Sequence, residues 1–268
     1  MYRRYRRAVQ IALFAAMFLI PILNLYEIYQ VTGTFYAINI GGLGVADPVV
    51  IFQAVFAAAR LTVPLISAAL FPVFLALIFG RIWCGWMCPY HLLADCAAWV
   101  RARVLRKNSA APRSVGSFGA NVSRFAFLVM GTVAAGAIGI PVLNYFSAPG
   151  ILSTEAMIFV KERSASVELV FIALLLGLEL SVLPRFWCRM FCPTGAFLSL
   201  FRAPFTLRVK NDVRNPKSQC CQENHCSLAC PMKLHPYREC GDLLCTNCGL
   251  CVDACRSGRL KYTGYGSL

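Results

Sequence analysis

Near the carboxyl end the stretch "CTNCGLCVDAC" sets Cys245, Cys248, Cys251 and Cys255 in the spacing C-x2-C-x2-C-x3-C. Three closely spaced thiolates can wrap one face of an iron–sulfur cubane while the fourth reaches away to a second one. Upstream, "CCQENHCSLACPM" repeats the pattern in part. Cys220, Cys226 and Cys230-Pro231 fit it, but Glu223 stands at the second cysteine position. Another pair of cysteines occurs twice, in "RIWCGWMCPYHLL" (81–93) and "RFWCRMFCPTGAF" (185–197). Each reads Arg, any residue, Trp-Cys, three residues, Cys-Pro. Cysteines four apart face the same way on a helix, so Cys84, Cys88, Cys188 and Cys192 could converge. The uses open to them are a four-thiolate cluster or metal site, two redox dithiols, or buried structural cysteines.

The spacing of the tail is that of a bacterial two-cluster ferredoxin with one ligand missing. By the crossed ligation of such domains, Cys230 completes the cluster held by Cys245, Cys248 and Cys251, and Cys255 joins Cys220 and Cys226 at the other. The remaining ligand is Cys221, Cys240 or Glu223, or is absent; thiolate chemistry favours Cys221 or Cys240. A structural zinc site and a disulfide set are the competing uses of so many cysteines, and a cytoplasmic setting disfavours the disulfides. Two [4Fe-4S] clusters, one with non-standard ligation, are therefore expected. Cys96 has no partner at ligand spacing and reads as structural.

The elements that must position these thiols are written in the hydropathy. The 268 residues are 58% hydrophobic and only 14% charged, against about 25% charged in an ordinary soluble domain. Four apolar spans are expected, near 8–26, 60–82, 124–143 and 167–183, with "AVFAAA" ahead of the second either extending it or lying at the interface. Each Trp-Cys motif follows an apolar span. The formal charge of +14 could suggest nucleic acid, but the arginines cluster at span ends, which points to topology instead. Lys and Arg number four in the amino-terminal segment, seven in the 81–124 loop and twelve from 185 onward, with three in the two remaining loops. The positive-inside rule then makes both termini and the 81–124 loop cytoplasmic, in a bacterial inner membrane. The first span reads as a retained anchor because no convincing cleavage site follows it.

The expected fold is thus an all-α membrane protein, with four transmembrane helices as two related hairpins and a small cytoplasmic ferredoxin-like domain. The boundary falls at 210, leaving residues 211–268 as a polar unit with nine cysteines, too small to rest on its core alone. Histidine is scarce: His91, His225 and His235 are the only ones, none inside a span, and no C-x2-C-H occurs. Haem therefore has no evident ligands. His91 reads as an interfacial polar residue. Glu179 near the end of the fourth span is the most anomalous carboxylate, since charge at that depth is costly and often functional. Glu27, Asp47, Glu155 and Glu168 read as solvated residues near the outer interface, each a weaker candidate for touching quinol.

With these residues in view, the chain resembles the NapH/MauN family of membrane ferredoxin-type proteins. The resemblance rests on the four spans, the motifs at Cys84/Cys88 and Cys188/Cys192, the two-cluster tail and "IGGLGVADP" in the first outer loop. It departs at Glu223 and at Arg256, where a proline usually follows. The resemblance implies oxidation of quinol in the membrane and transfer of electrons to a partner redox protein, a ferredoxin-type or periplasmic oxidoreductase subunit. A maturation factor that uses the thiol pairs to reduce a metal or disulfide in another enzyme is the alternative.

Overall fold

The computed structural model describes residues 1–26, 31–41, 43–58, 62–104, 116–181, 184–211, 225–237 and 241–264. Helix α1 (Tyr2–Leu25) opens the chain. A three-stranded antiparallel sheet follows, β1 (Val31–Thr34), β2 (Ala37–Ile40) and β3 (Leu43–Ala46), with Val31 opposite Ile40 and Ala37 opposite Ala46. Next come α2 (Pro48–Ala58) and α3 (Val63–Phe79). The first Trp-Cys motif is a π-helical turn (Trp83–Met87), followed by α4 (Pro89–Arg103). The second half repeats the order without strands: α5 (Ser117–Ile138), a 3-10 turn (Val142–Phe146), α6 (Ala148–Glu162) and α7 (Glu168–Ser181). Then come α8 (Phe186–Met190), carrying the second motif, and α9 (Pro193–Leu200). In the tail, β4 (Arg208–Asn211) pairs antiparallel with β5 (Leu260–Thr263) around the short helices α10 (His225–Leu228) and α11 (Leu250–Ala254).

The fold is mostly helical, and two helices are long and apolar enough to cross a membrane, α1 with 24 residues and α5 with 22. At about 1.5 Å per residue they reach the roughly 30 Å of a bilayer core. The segments expected as the second and fourth spans form shorter helices of 17 and 14 residues. The all-α expectation needs correcting for the strands. The outer segments also hold more structure than loops: "AVFAAA" belongs to α2, a helix of its own, and residues 148–162 form α6. Asp47 accepts the Val49 N–H at 2.9 Å and Pro48 opens the helix, an amino-terminal cap followed by proline at the first helical position.

The two halves interlock. α6, from the second half, packs on α1, and α2, from the first half, packs on α5; α4 in turn packs on α7. One core gathers Met17, Tyr90, Ile151, Leu152, Ile172 and Trp187; another gathers Val49, Leu128, Leu143 and Phe197. Gln53 of α2, wholly buried, stitches the second: its amide donates to Gly131 O at 2.9 Å and its carbonyl accepts the Leu143 N–H at 3.0 Å.

Candidate functional site

Each repeated motif breaks where its proline stands. A residue before proline is pushed out of the helical region. Cys88 is accordingly extended (φ −69°, ψ 120°), and so is Cys192 (φ −57°, ψ 109°). Each then precedes a new helix that begins at Pro89 or Pro193. The two cysteines of a pair therefore lie on either side of a helix junction, not on one continuous helix as their spacing suggested. All four are half-buried. Cys88 lies within electrostatic reach of Cys84 and Cys192, and Cys188 within reach of Cys88 and Cys192, so the two motifs meet. Cys192 Sγ accepts the Gly195 N–H at 3.4 Å.

Cations crowd this meeting point. Arg81 and Arg124 are buried, and Arg124 lies within electrostatic reach of Cys84 and Cys192. Neither has a carboxylate within ion-pair distance among the described residues, and Nε and Nη1 of Arg124 have no hydrogen-bond partner there. Arg185, the counterpart of Arg81, is differently engaged. It pairs with Asp95, which also pairs with Arg6, and it donates to His91 O at 3.1 Å. His91 is buried between these groups, not interfacial as its position suggested. Burial, and then the Arg185, Arg6 and Arg81 guanidinium groups, hold its imidazole well below the usual range and hence neutral.

The tail thiols gather in two places. Cys230, Cys245, Cys248 and Cys251 line one largely apolar cavity of about 460 Å3, with Met232 and Leu234 among its walls. Among the described residues no three His, Cys, Asp or Glu side chains close on a point as they would around a single ion; these four are spread around the cavity wall. The set fits a cubane held by four thiolates. Burial foremost, and the neighbouring thiols with it, push Cys230 up to about 12 and Cys245 up to about 11. The free thiols would thus be protonated at neutral pH, and metal binding must displace those protons. Cys226 and Cys255 lie in an adjoining buried cluster with Val209, Leu260 and Cys251, so the two groups share Cys251. Cys220, Cys221, Glu223 and Cys240 fall outside the described residues.

The first Trp-Cys motif and the tail are in direct contact. A Cβ on Gly85 would lie 2.5 Å from Thr246 O, so only glycine lets the two backbones approach there. Trp86 Nε1 donates to Asn247 O at 3.1 Å and Arg81 to Leu243 O at 2.8 Å. Cys188 packs against the same small core as Cys230 and Cys245. Residues 84 and 245, one from each site, therefore flank a single backbone contact.

Polar residues placed by sequence at the outer surface turn out to be interior. Asp47 is buried, and its second oxygen accepts the Thr194 hydroxyl at 2.8 Å, two residues beyond Cys192. Tyr36 accepts the Trp83 indole N–H at 3.2 Å and is hydrogen-bonded to Cys88. Glu155 is buried too and pairs with the Ser166 hydroxyl. Glu179 accepts the Tyr90 hydroxyl at 2.8 Å. Cys96 is exposed, and Glu27 lies outside the described residues. Tyr36 and Thr194 went unnoticed in the sequence. Thr194 could have been found from its place directly after the second Cys-Pro, whereas Tyr36 leaves no signal.

A family profile described as a 4Fe-4S binding domain matches residues 61–108 and 167–211, the two stretches that carry the repeated motifs. The chain is 29% identical over 229 residues to the methylamine utilization ferredoxin-type protein MauN of Paracoccus denitrificans, covering 84% of this chain and 74% of that one. It is 26% identical over 210 residues to the ferredoxin-type protein NapH of Haemophilus influenzae, covering 74% and 68%. NapH of Escherichia coli is 26% identical over 201 residues, covering 72% and 66%. No solved structure matches the chain.

Proposed function

The chain belongs to the NapH/MauN family of ferredoxin-type proteins, and from that premise we propose that it oxidises quinol in the membrane and passes the electrons through iron–sulfur clusters to a partner oxidoreductase. Iron–sulfur electron transport is common ground for the family. Quinol as donor, two clusters in the tail, the domain division near 210 and an unidentified redox partner are the finer reading. The observation that carries it is the backbone contact of Gly85 with Thr246, which sets the membrane thiols beside the tail cavity with no intervening element.

In this reading the tail cluster sits on Cys230, Cys245, Cys248 and Cys251, with a second on Cys226, Cys255 and residues of the 220–224 and 238–240 segments. Clusters so held would supply one-electron steps at potentials anywhere from about −700 to +450 mV. Arg81 and Arg124, buried without carboxylate partners among the described residues, place positive charge beside the thiols, Arg124 within electrostatic reach of Cys84 and Cys192 and Arg81 within reach of Cys192. A membrane setting with four spans explains why α1, α3, α5 and α7 all expose large apolar residues, among them Ile11, Phe74, Val133 and Leu174. Exposed apolar surface on that scale needs a covering. The amino terminus and the tail share one face, since the Met1 ammonium bonds Asp253 at 2.9 Å; the positive-inside rule makes that face cytoplasmic.

Anaerobic EPR on the purified protein tests the donor. Excess menaquinol should produce the reduced-cluster signal that dithionite produces. A signal with dithionite alone would mean low-potential clusters fed from the cytoplasm, and the maturation reading would replace this one.

A further inference from the structure

Between the β-sheet and α3 lies a recess of about 320 Å3, open solvent included, walled largely by carbon. We infer that this recess, bounded by Phe35, Tyr36, Asp47, Pro72, Trp83 and Thr194, is the binding pocket for the quinol head group; the inference rests on the quinol reading above. The flat walls are aromatic: the Phe35 and Trp83 rings stack at 6.2 Å and 25°, and a planar ring is the shape such walls receive. The polar groups are few and convergent. Asp47 is a buried carboxylate with no cation within ion-pair distance among the described residues. It accepts one hydrogen bond at each oxygen, from Val49 N–H and from Thr194 Oγ1. A carboxylate has about four acceptor sites, so it retains capacity for the hydroxyl of a ligand, and a quinol hydroxyl is such a donor.

Position argues for the same occupant. Pro72 on the wall of the recess belongs to α3, whose neighbouring Phe71 and Phe74 are 51% and 61% exposed on the outer apolar face. A head group here would have its isoprenoid tail beside lipid-facing helix. On the inner side, Tyr36 touches both the Trp83 indole and Cys88, so the ring would sit one side chain from the membrane thiols. Asp47 is then a catalytic residue that takes the hydroxyl hydrogen bond and the first proton. The electrons leave to the iron–sulfur clusters of the proposed chain, and the second proton leaves to solvent.

The test is photolabelling of the holoprotein with an azido analogue of menaquinone, competed by menaquinone, alongside the rate of cluster reduction by menaquinol. Label is expected in residues 35–48 or at Trp83, and Val45→Phe, which fills the recess, should cut it at least tenfold. Asp47→Asn keeps an oxygen acceptor for the Val49 cap. It should retain the label yet slow reduction by menaquinol about 100-fold, with dithionite reduction and iron content unchanged. Label landing elsewhere, or both variants being reduced as fast as the native protein, overturns the pocket while leaving quinol as the donor. A native protein that menaquinol neither labels nor reduces overturns both.

Discussion

Two aspartates that hold the first turns of α1 do different amounts of work, and burial of their partners decides which matters more. Asp95 holds Arg6 and Arg185, whose side chains are each 3% exposed. Removing it strands two buried cations, so Asp95→Ala should cost about 3–5 kcal/mol. Asp253 gathers the Met1 ammonium and the Tyr2 and Arg3 N–H groups at the open end of α1. Asp253→Ala removes only that cap, at about 1 kcal/mol. Thermal melting in detergent should therefore show a drop for Asp95→Ala several times that for Asp253→Ala, and equal drops would refute the ranking. Slight burial would raise the Asp253 pKa, yet the hydrogen bonds from Arg3, the terminal ammonium and Tyr2 outweigh it and hold the carboxyl below the usual range. Its folded pKa is thus depressed. The cap is in full force above about pH 4 and is lost as pH falls through the lower folded value, so acid should release the tail from α1 and neutral pH should not.

At the scale of elements, the end of α3 explains why the tail docks where it does. The last carbonyls of a helix have no partner within it. Here they are taken up from outside: Leu77 O by the Thr206 hydroxyl at 2.6 Å, Ile78 O by Leu207 N–H at 2.8 Å, and Phe79 O by the Asn247 amide at 2.9 Å. Asn247 can do this because it sits in the left-handed region (φ 48°), which asparagine tolerates better than most residues. It also donates to Leu207 O at 2.6 Å. Asn247→Ala loses both bonds and should loosen the segment between Cys245 and Cys248. Expected outcomes are a loss of about 2 kcal/mol and several-fold faster proteolysis of the tail; unchanged proteolysis would show that Arg81 and Trp86 hold it alone.

The cysteine motifs and the long apolar helices α1 and α5 were legible in the sequence because each has a local signature: ligand spacing and run length. The outer segments were not. Strands β1 to β3 carry no apolar alternation, since the burial of Tyr36 and Asp47 comes from packing on the distant Trp83 and Thr194. Helix α2 did leave a mark, the Asp47-Pro48 cap, but "ADP" beside glycines reads as a turn until the helix after it is known. Whether Asp47 and Glu155 face water or protein depends on what packs against them, which no local pattern encodes. The Cys-Pro junctions were misjudged for a simpler reason: the four-residue spacing suggested one helix, while the proline restricts the residue before it.

Over the whole molecule, the interlocking of the two halves matters most. Each half lends its outer helix to the first helix of the other, so Cys84/Cys88 and Cys188/Cys192 are brought together by the same packing that closes the bundle. The fold of the 31–47 segment also places Tyr36 against the first Trp-Cys motif, so a quinol bound there would lie beside the thiols. The central claim is that electrons reach the tail by way of these four cysteines. Stopped-flow reduction of the holoprotein with Cys84→Ser and Cys188→Ser together tests it most directly. Menaquinol should reduce the tail clusters of the native protein and fail to reduce those of the double variant, while dithionite reduces both and tail iron content is unchanged. Equal rates with menaquinol would contradict the claim and leave the repeated motifs a purely structural part.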